Sequence, residues 1–228
     1  MNMTATLPAI DISNYEVLRP HLGLRLANRL YEQRLIDDCP GDSYLDLATL
    51  PYLLLDKPDG PAEGAHIMHV RWDMLRTWGI TAEKLMTDAA LNMPFFLPPS
   101  LQTLEDTLQA HTDPGDPMIS LDPEEDFSCG LYVLTNKRAI YGASCILYPG
   151  LMEEIYNCLG AYYVLPCSVH EVIIAPDHEA LTPTGLADIV HSVNREVLDQ
   201  EDYLSDNIYY CGEQGLSLVT SDFYSERA

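Results

Sequence analysis

Hydrophobic and polar positions alternate with enough regularity to divide most of the chain into elements. Leu18, Leu22, Leu26 and Leu30 recur every fourth residue, with Arg19, Arg25, Arg29 and Arg34 between them, which predicts an amphipathic helix near Asn14–Ile36 with Pro20 in its first turns. This most basic segment is expected to dock on the acidic remainder. Tyr44–Leu55 reads as a strand, with Pro51 arguing for an edge or a break. The Pro- and Gly-bearing turn Lys57–Gly64 then leads to a second strand, Ala65–Val70, making a hairpin. Trp72–Trp78 predicts a short helix stopped by Gly79. Thr81 is placed to cap a helix over Ala82–Asn92 that turns Leu85, Ala89 and Met93 inward. Pro94, Pro98 and Pro99 break the chain, and Ser100 is placed to cap another short helix to about Gln109.

The densest run of β-branched and aromatic residues lies from Gly130 to Pro176. Leu131–Thr135 and Ile140–Leu147 flank Asn136-Lys137-Arg138 as a hairpin. Pro149 stands at the expected first position of a helix and Gly160 just past its end, with Leu151, Met152, Ile155 and Leu159 on one face. Tyr162–Leu165 and Glu171–Ala175 read as strands. Thr182-Pro183 opens a helix through about Leu198, with Leu186, Ile189, Val190, Val193 and Val197 inward. Asn207–Cys211 and Leu216–Thr220 close as a hairpin. The expectation is an α+β fold: a mostly antiparallel sheet with helices packed on one face, preceded by a helix-rich N-terminal half. The organisation expected is 1–110, an acidic Pro-rich loop over 111–128, and a ββαββαββ-like unit over 129–222, or one continuous domain.

Charge changes this picture more than composition does. A hydrophobic content of 47% is ordinary for a globular protein, but 35 acids against 12 bases leave a net charge of −23. A small domain usually carries about 2–8 in magnitude. Residues 1–100 hold 13 acids and 8 bases, while residues 101–228 hold 22 acids and 4 bases, a net of −18. Such a field repels nucleic acid and anionic membrane and attracts basic proteins. Asp113, Asp116, Asp122, Glu124, Glu125 and Asp126 concentrate it in one loop, the candidate interaction segment. The N-terminus lacks the basic and apolar regions of a signal peptide, and no apolar run approaches the ~20 residues that span a bilayer. The six cysteines form no C-x-x-C pair and mostly lie in apolar runs, as buried reduced thiols do. A cytoplasmic protein is expected.

Candidate chemistry is sparse. Cys167, Ser168, His170 and Glu171 place a thiol, a hydroxyl, an imidazole and a carboxylate within five residues. A nucleophile needs a base in hydrogen-bond reach, and the base needs an orienting acceptor. Alternation along a strand would point His170 and Glu171 to opposite faces, so only a tight turn after Pro166 could join Cys167 or Ser168 to His170. In the competing reading Ser168 caps a turn and His170 bonds the backbone. Cys167-x-x-His170 and His66-x-x-His69 have ligand-like spacing, but no second pair completes a zinc set, and Asp122–Asp126 lacks the glycine and terminal glutamate spacing of an EF-hand. Phosphate-cradling glycine motifs and the G-x-S-x-G elbow are absent. No cofactor and no metal are expected. The leading reading is a non-enzymatic acidic interaction protein with a basic protein partner, in its sharpest form a nucleic-acid mimic or inhibitor of a basic host or defence protein. The alternative is a small hydrolase using Cys167 or Ser168 with His170.

Several segments carry a resemblance: Tyr132-Val133-Leu134-Thr135-Asn136, Tyr141-Gly142-Ala143, Leu147-Tyr148-Pro149-Gly150, Leu165-Pro166-x-Ser168-x-His170-Glu171-Val172, Val193-Asn194 and Leu204-Ser205-Asp206. Leu45-Asp46-Leu47-Ala48 and Trp78-Gly79-Ile80-Thr81 add to it. Over about Asn14 to Tyr210 the chain resembles an uncharacterised Firmicute family, domain of unknown function 5688. Cys167 departs from the serine usual there, and the resemblance leads one to expect a segment ahead of Asn14 that does not stand in this sequence, as in a short variant or a trimmed chain. The resemblance implies a shared fold unit and an origin in genomes rich in conjugative elements. It implies no mechanism.

Overall fold

The computed structural model describes residues 11–55, 65–110, 130–166, 168–178, 181–196 and 201–219. The chain opens not with a long helix but with one turn, α1 (Tyr15–Leu18), capped by Asn14, and a 3-10 turn over Arg19–His21. Strand β1 (Leu22–Asn28) follows, buried along its whole length, and then a short helix α2 (Gln33–Asp38). The fourfold leucine spacing misleads because it is also even: Leu22, Leu24 and Leu26 form one face of a strand, and Leu30 lies past it, 85% exposed. Gly23 fits this strand against its neighbour, because a Cβ there would lie 2.7 Å from the Tyr52 ring.

Two short strands, β2 (Asp42–Tyr44) and β4 (Ile67–His69), flank β3 (Leu47–Leu54). β3 pairs antiparallel with β1 from Leu47 to Leu53 on one side. On its other side it pairs with β2 over Leu47–Thr49 and with β4 over Tyr52–Leu54. Pro51 therefore sits in a central strand, neither edge nor break. It falls between the segments met by β2 and β4, and its carbonyl accepts from the Val70 N–H at 3.0 Å. Helix α3 (Trp72–Trp78) ends on Gly79 in the left-handed conformation, φ +67°. Helix α4 (Ala82–Phe96) starts on Thr81, whose hydroxyl accepts from the Lys84 N–H, and turns Leu85, Ala89 and Met93 inward.

The second sheet has six strands. Ser100 lies not at a helix cap but in β5 (Pro99–Thr103), and α5 (Leu104–Ala110) starts after Thr103, whose hydroxyl accepts from the Asp106 N–H. The rest are β6 (Tyr132–Asn136), β7 (Tyr162–Leu165), β8 (Val172–Pro176), β9 (Tyr209–Gly212) and β10 (Gly215–Leu218). Their order is β10-β9-β7-β8-β6-β5, antiparallel throughout. The segment after β6 is a 3-10 helix over Gly142–Leu147, not a hairpin strand, because β5 and β8 already occupy both sides of β6. Asn136 organises the bend: its amide donates to Ile140 O and accepts from Arg138 and Ile140 N–H groups. Helix α6 (Leu151–Leu159) runs from Gly150, rather than Pro149, to Gly160. Helix α7 (Pro183–Glu196) begins after Thr182, and its Ile189 is exposed rather than inward.

Alternation along β7 splits the core. Tyr162 and Val164 join the large cluster that also holds Leu22, Leu26 and Leu53 of the first sheet, Leu85 and Met93 of α4 and Ile155 of α6. Tyr163 and Leu165 point the other way, into a cluster with Leu186 and Val190 of α7. The α+β class and the antiparallel sheets are as expected. Helices cover both faces of the second sheet rather than one, and the N-terminal half combines its helices with a four-stranded sheet. Polar ties also cross between the halves. The Asp46 carboxylate, beside Leu45 at φ +54°, accepts from Ser205 Oγ at 2.5 Å, Asn207 Nδ2 at 2.9 Å and Tyr209 Oη at 2.7 Å. Asn28 Nδ2 donates to Leu204 O at 2.6 Å.

Candidate functional site

Between β7 and β8, Ser168, Val169 and His170 make a tight turn. Cys167 lies outside the described residues, as do Asp113, Asp116, Asp122, Glu124, Glu125 and Asp126. Ser168 is buried and pairs across a single bridge with Tyr203. Its hydroxyl accepts the His170 backbone N–H at 3.0 Å, the local bond by which serine stabilises turns. The turn is fixed from three sides. Val169 N–H donates to Asp202 O at 2.8 Å, Ala143 N–H to Val169 O at 3.2 Å, and Thr135 Oγ1 to His170 O at 2.7 Å. Gly142 permits that last approach, since a Cβ there would stand 2.0 Å from Thr135 Oγ1 and 2.2 Å from His170 O.

The His170 ring is held at both nitrogens. Nδ1 lies 3.2 Å from Ala139 O and Nε2 lies 3.2 Å from Asp202 Oδ1. A carbonyl and a carboxylate only accept, so the ring satisfies both contacts at once when it carries both protons. Both ring nitrogens are in contact with groups other than Ser168, whose hydroxyl oxygen accepts within the turn. Glu171, half-buried, follows at the entrance to β8. The structure thus joins His170 to Asp202, a residue the sequence did not single out, in an imidazole–carboxylate pair.

His170 and Asp202 stand on the rim of a cleft of about 480 Å³ lined also by Arg25, Glu32, His69 and Tyr141. Five separate stretches of chain meet there. Arg25 comes from β1 and is 5% exposed. Its Nη2 bonds Glu32, and its guanidinium carbon lies 5.0 Å from the centre of the Tyr141 ring. Tyr141 is held at φ +47°, a conformation unusual for a bulky residue. Two buried nitrogens in this lining, Arg25 Nε and His69 Nδ1, have no hydrogen-bond partner. Burial, with Arg25 and Arg71 adding to it, pushes the His69 imidazole down to about 4, so the ring is neutral around pH 7. His69 was noticed in the sequence only for its spacing from His66. Among the described residues no group of three or more His, Cys, Asp or Glu side chains could hold a metal ion.

Sequence reasoning missed Arg25, Glu32, Tyr141 and Asp202. One signal for Arg25 was available: it lies in a run where every other position is leucine, so as a strand residue it had to stand on the face opposite them. No helix among the described residues is long and apolar enough to cross a membrane. No curated protein and no solved structure matches the chain. The profile of a family of unknown function, DUF5688, matches residues 2–211, a span that takes in the first sheet, the second as far as β9, the cleft and every segment on which the resemblance rests. The chain belongs to that family, DUF5688.

Proposed function

We propose that the protein is an acidic cytoplasmic interaction protein whose partner is a basic protein, and that it acts by charge rather than by catalysis. The observation that carries this reading is the excess of 35 acids over 12 bases, deepest in residues 101–228. Internal ion pairs add weight. Arg19, Arg25, Arg71 and Lys84 are spent on Glu16, Glu32, Asp38 and Asp88, so these cations do nothing to mask the remaining carboxylates. Glu153 and Glu154 on α6, with Asp73 and Glu83 on α3 and α4, are exposed. In its finer form the acidic surface occupies a groove that a host or defence protein uses for nucleic acid.

The turn geometry supports the same side. A hydrolase built on Ser168 or Cys167 needs a ring nitrogen of His170 free to take the nucleophile's proton. Both nitrogens are engaged by Ala139 O and Asp202.

Affinity capture from a lysate on the immobilised full chain, followed by elution with rising salt, tests the proposal. A basic partner should elute steeply, because exposed charges are screened beyond about 10 Å at 0.1 M salt. An acidic partner, or one retained unchanged at high salt, overturns it. Selective alkylation of Cys167 at neutral pH that disappears in His170→Ala would overturn the reading and favour the hydrolase.

A further inference from the structure

The cleft between the two sheets has a chemistry that the overall charge does not use. Arg25, 95% removed from solvent by its 5% exposure, presents an Nε–H without an acceptor, and the neighbouring His69 Nδ1 is also unmatched. Buried polar groups are nearly always satisfied, so two orphans in the lining of one cavity mark a place where a partner group is missing. The ring of charge around them is mixed. Glu32 is already bonded to Arg25, and Glu201 and Asp202 stand in the same lining. A simple anion would meet Arg25 but three carboxylates as well. A simple amine would satisfy the carboxylates and leave the Arg25 Nε–H unmet. A molecule with both ends answers both. The volume, about 480 Å³, falls within the range of small-molecule sites, about 300–1,000 Å³. Tyr31, 57% exposed at the mouth and held edge-on by Tyr203, supplies an apolar wall for whatever lies between the two ends.

We propose that this cleft binds a small zwitterion of the amino-acid or dipeptide class, its carboxylate turned to Arg25 and His69 and its ammonium turned to Glu201 and Asp202. Binding satisfies the Arg25 Nε–H and leaves the Arg25–Glu32 pair intact. Asp202 then serves two groups, the ligand's ammonium and the His170 ring, so the His170 turn reports on occupancy. The site stands apart from the acidic surface: a basic protein partner could be absent and the cleft still filled.

The full-length protein is titrated calorimetrically with the twenty free L-amino acids and their glycyl dipeptides. For the tightest of these, the titration is repeated with the amine that lacks the carboxylate and with the acid that lacks the ammonium. Saturable one-to-one binding is expected, weakened roughly tenfold or more by loss of either end. Asp202→Asn and Glu201→Gln, at a half-buried and an exposed position, should weaken the zwitterion by roughly tenfold and leave the carboxylate-only analogue unaffected. Arg25→Lys, which keeps the charge but loses the Nε–H, should do the converse. Absence of saturable binding by any amino acid or dipeptide below about 10 mM overturns the proposal. So does equal binding of the parent and its decarboxylated amine, or an affinity indifferent to both rim substitutions.

Discussion

Replacing Asp46 by alanine should destabilise the protein far more than a turn residue normally does. The carboxylate receives three donors from the far end of the chain: Ser205 Oγ, Asn207 Nδ2 and Tyr209 Oη. Asn207 is exposed, so water replaces its bond at little loss. Ser205 and Tyr209 are buried, and each hydroxyl left without an acceptor costs about 1–3 kcal/mol. Two such groups, with some relief from water entering the vacated space, give about 2–4 kcal/mol. For a chain of this size that lowers the melting temperature by roughly 5–15 °C. Urea denaturation of the wild type, Asp46→Ala, Tyr209→Phe and the double variant forms a cycle that isolates one of the bonds. A coupling of about 1–2 kcal/mol is expected between Asp46 and Tyr209, since the acceptor is charged. A single-variant loss under about 0.5 kcal/mol, or a coupling near zero, would refute the idea that this carboxylate ties the two halves together.

Three further outcomes follow from the geometry. Gly142→Ala forces a methyl group into Thr135 Oγ1 and His170 O and should lower stability by about 1–3 kcal/mol in chemical denaturation, whereas Gly130→Ala, with open space around it, should not. His69 titrates near 4 when folded against 6.5 in the unfolded chain, so the unfolded state takes the proton first as pH falls. Its contribution is complete above about pH 6.5 and is lost between there and pH 4, roughly 1–2 kcal/mol after solvent screening, and His69→Gln should flatten that part of the stability curve relative to wild type. Among the described cysteines Cys158 is exposed while Cys39, Cys145 and Cys211 are buried, with desolvation pushing all three thiols up and Cys145 to about 12. In native protein Cys158 should therefore react fast with a thiol reagent and those three slowly; equal rates would contradict the burial.

Locally punctuated elements were legible in the sequence. Gly79, Thr81, Gly160 and Thr182 mark helix ends that the structure places where the residues suggest, because caps are decided within a turn of chain. The neighbouring strands β7 and β8, and β9 and β10, were equally plain. What failed were segments whose fate is settled at a distance. The leucines of β1 fit a helix or a strand alike, and only Tyr52 across from Gly23 and the partner β3 decide for the strand. Residues 140–147 have strand-like composition, but β6 has no free side to offer them. The candidate site divides in the same way. His170 and its turn could be read from five adjacent residues. Its partner Asp202 and the cleft residues Arg25, His69 and Tyr141 are spread over the chain, and no spacing rule brings them together. Asp46 did leave a trace, a lone carboxylate between leucines beside a buried run.

Among the described residues every ladder of the first sheet runs through one strand: β1, β2 and β4 each pair with β3 and not with one another. β2 or β4 can fray from β3 without disturbing the β1–β3 pair, but once β3 leaves no two described strands of this sheet are bonded to each other. The sheet thus has a hub rather than a chain of neighbours, and its slowest amides should share one opening event. Hydrogen exchange in β1 and in β3 would then converge on a common protection, set by the energy needed to extract Leu47–Leu54 from the core, while β2 and β4, three residues each, exchange through cheaper local openings.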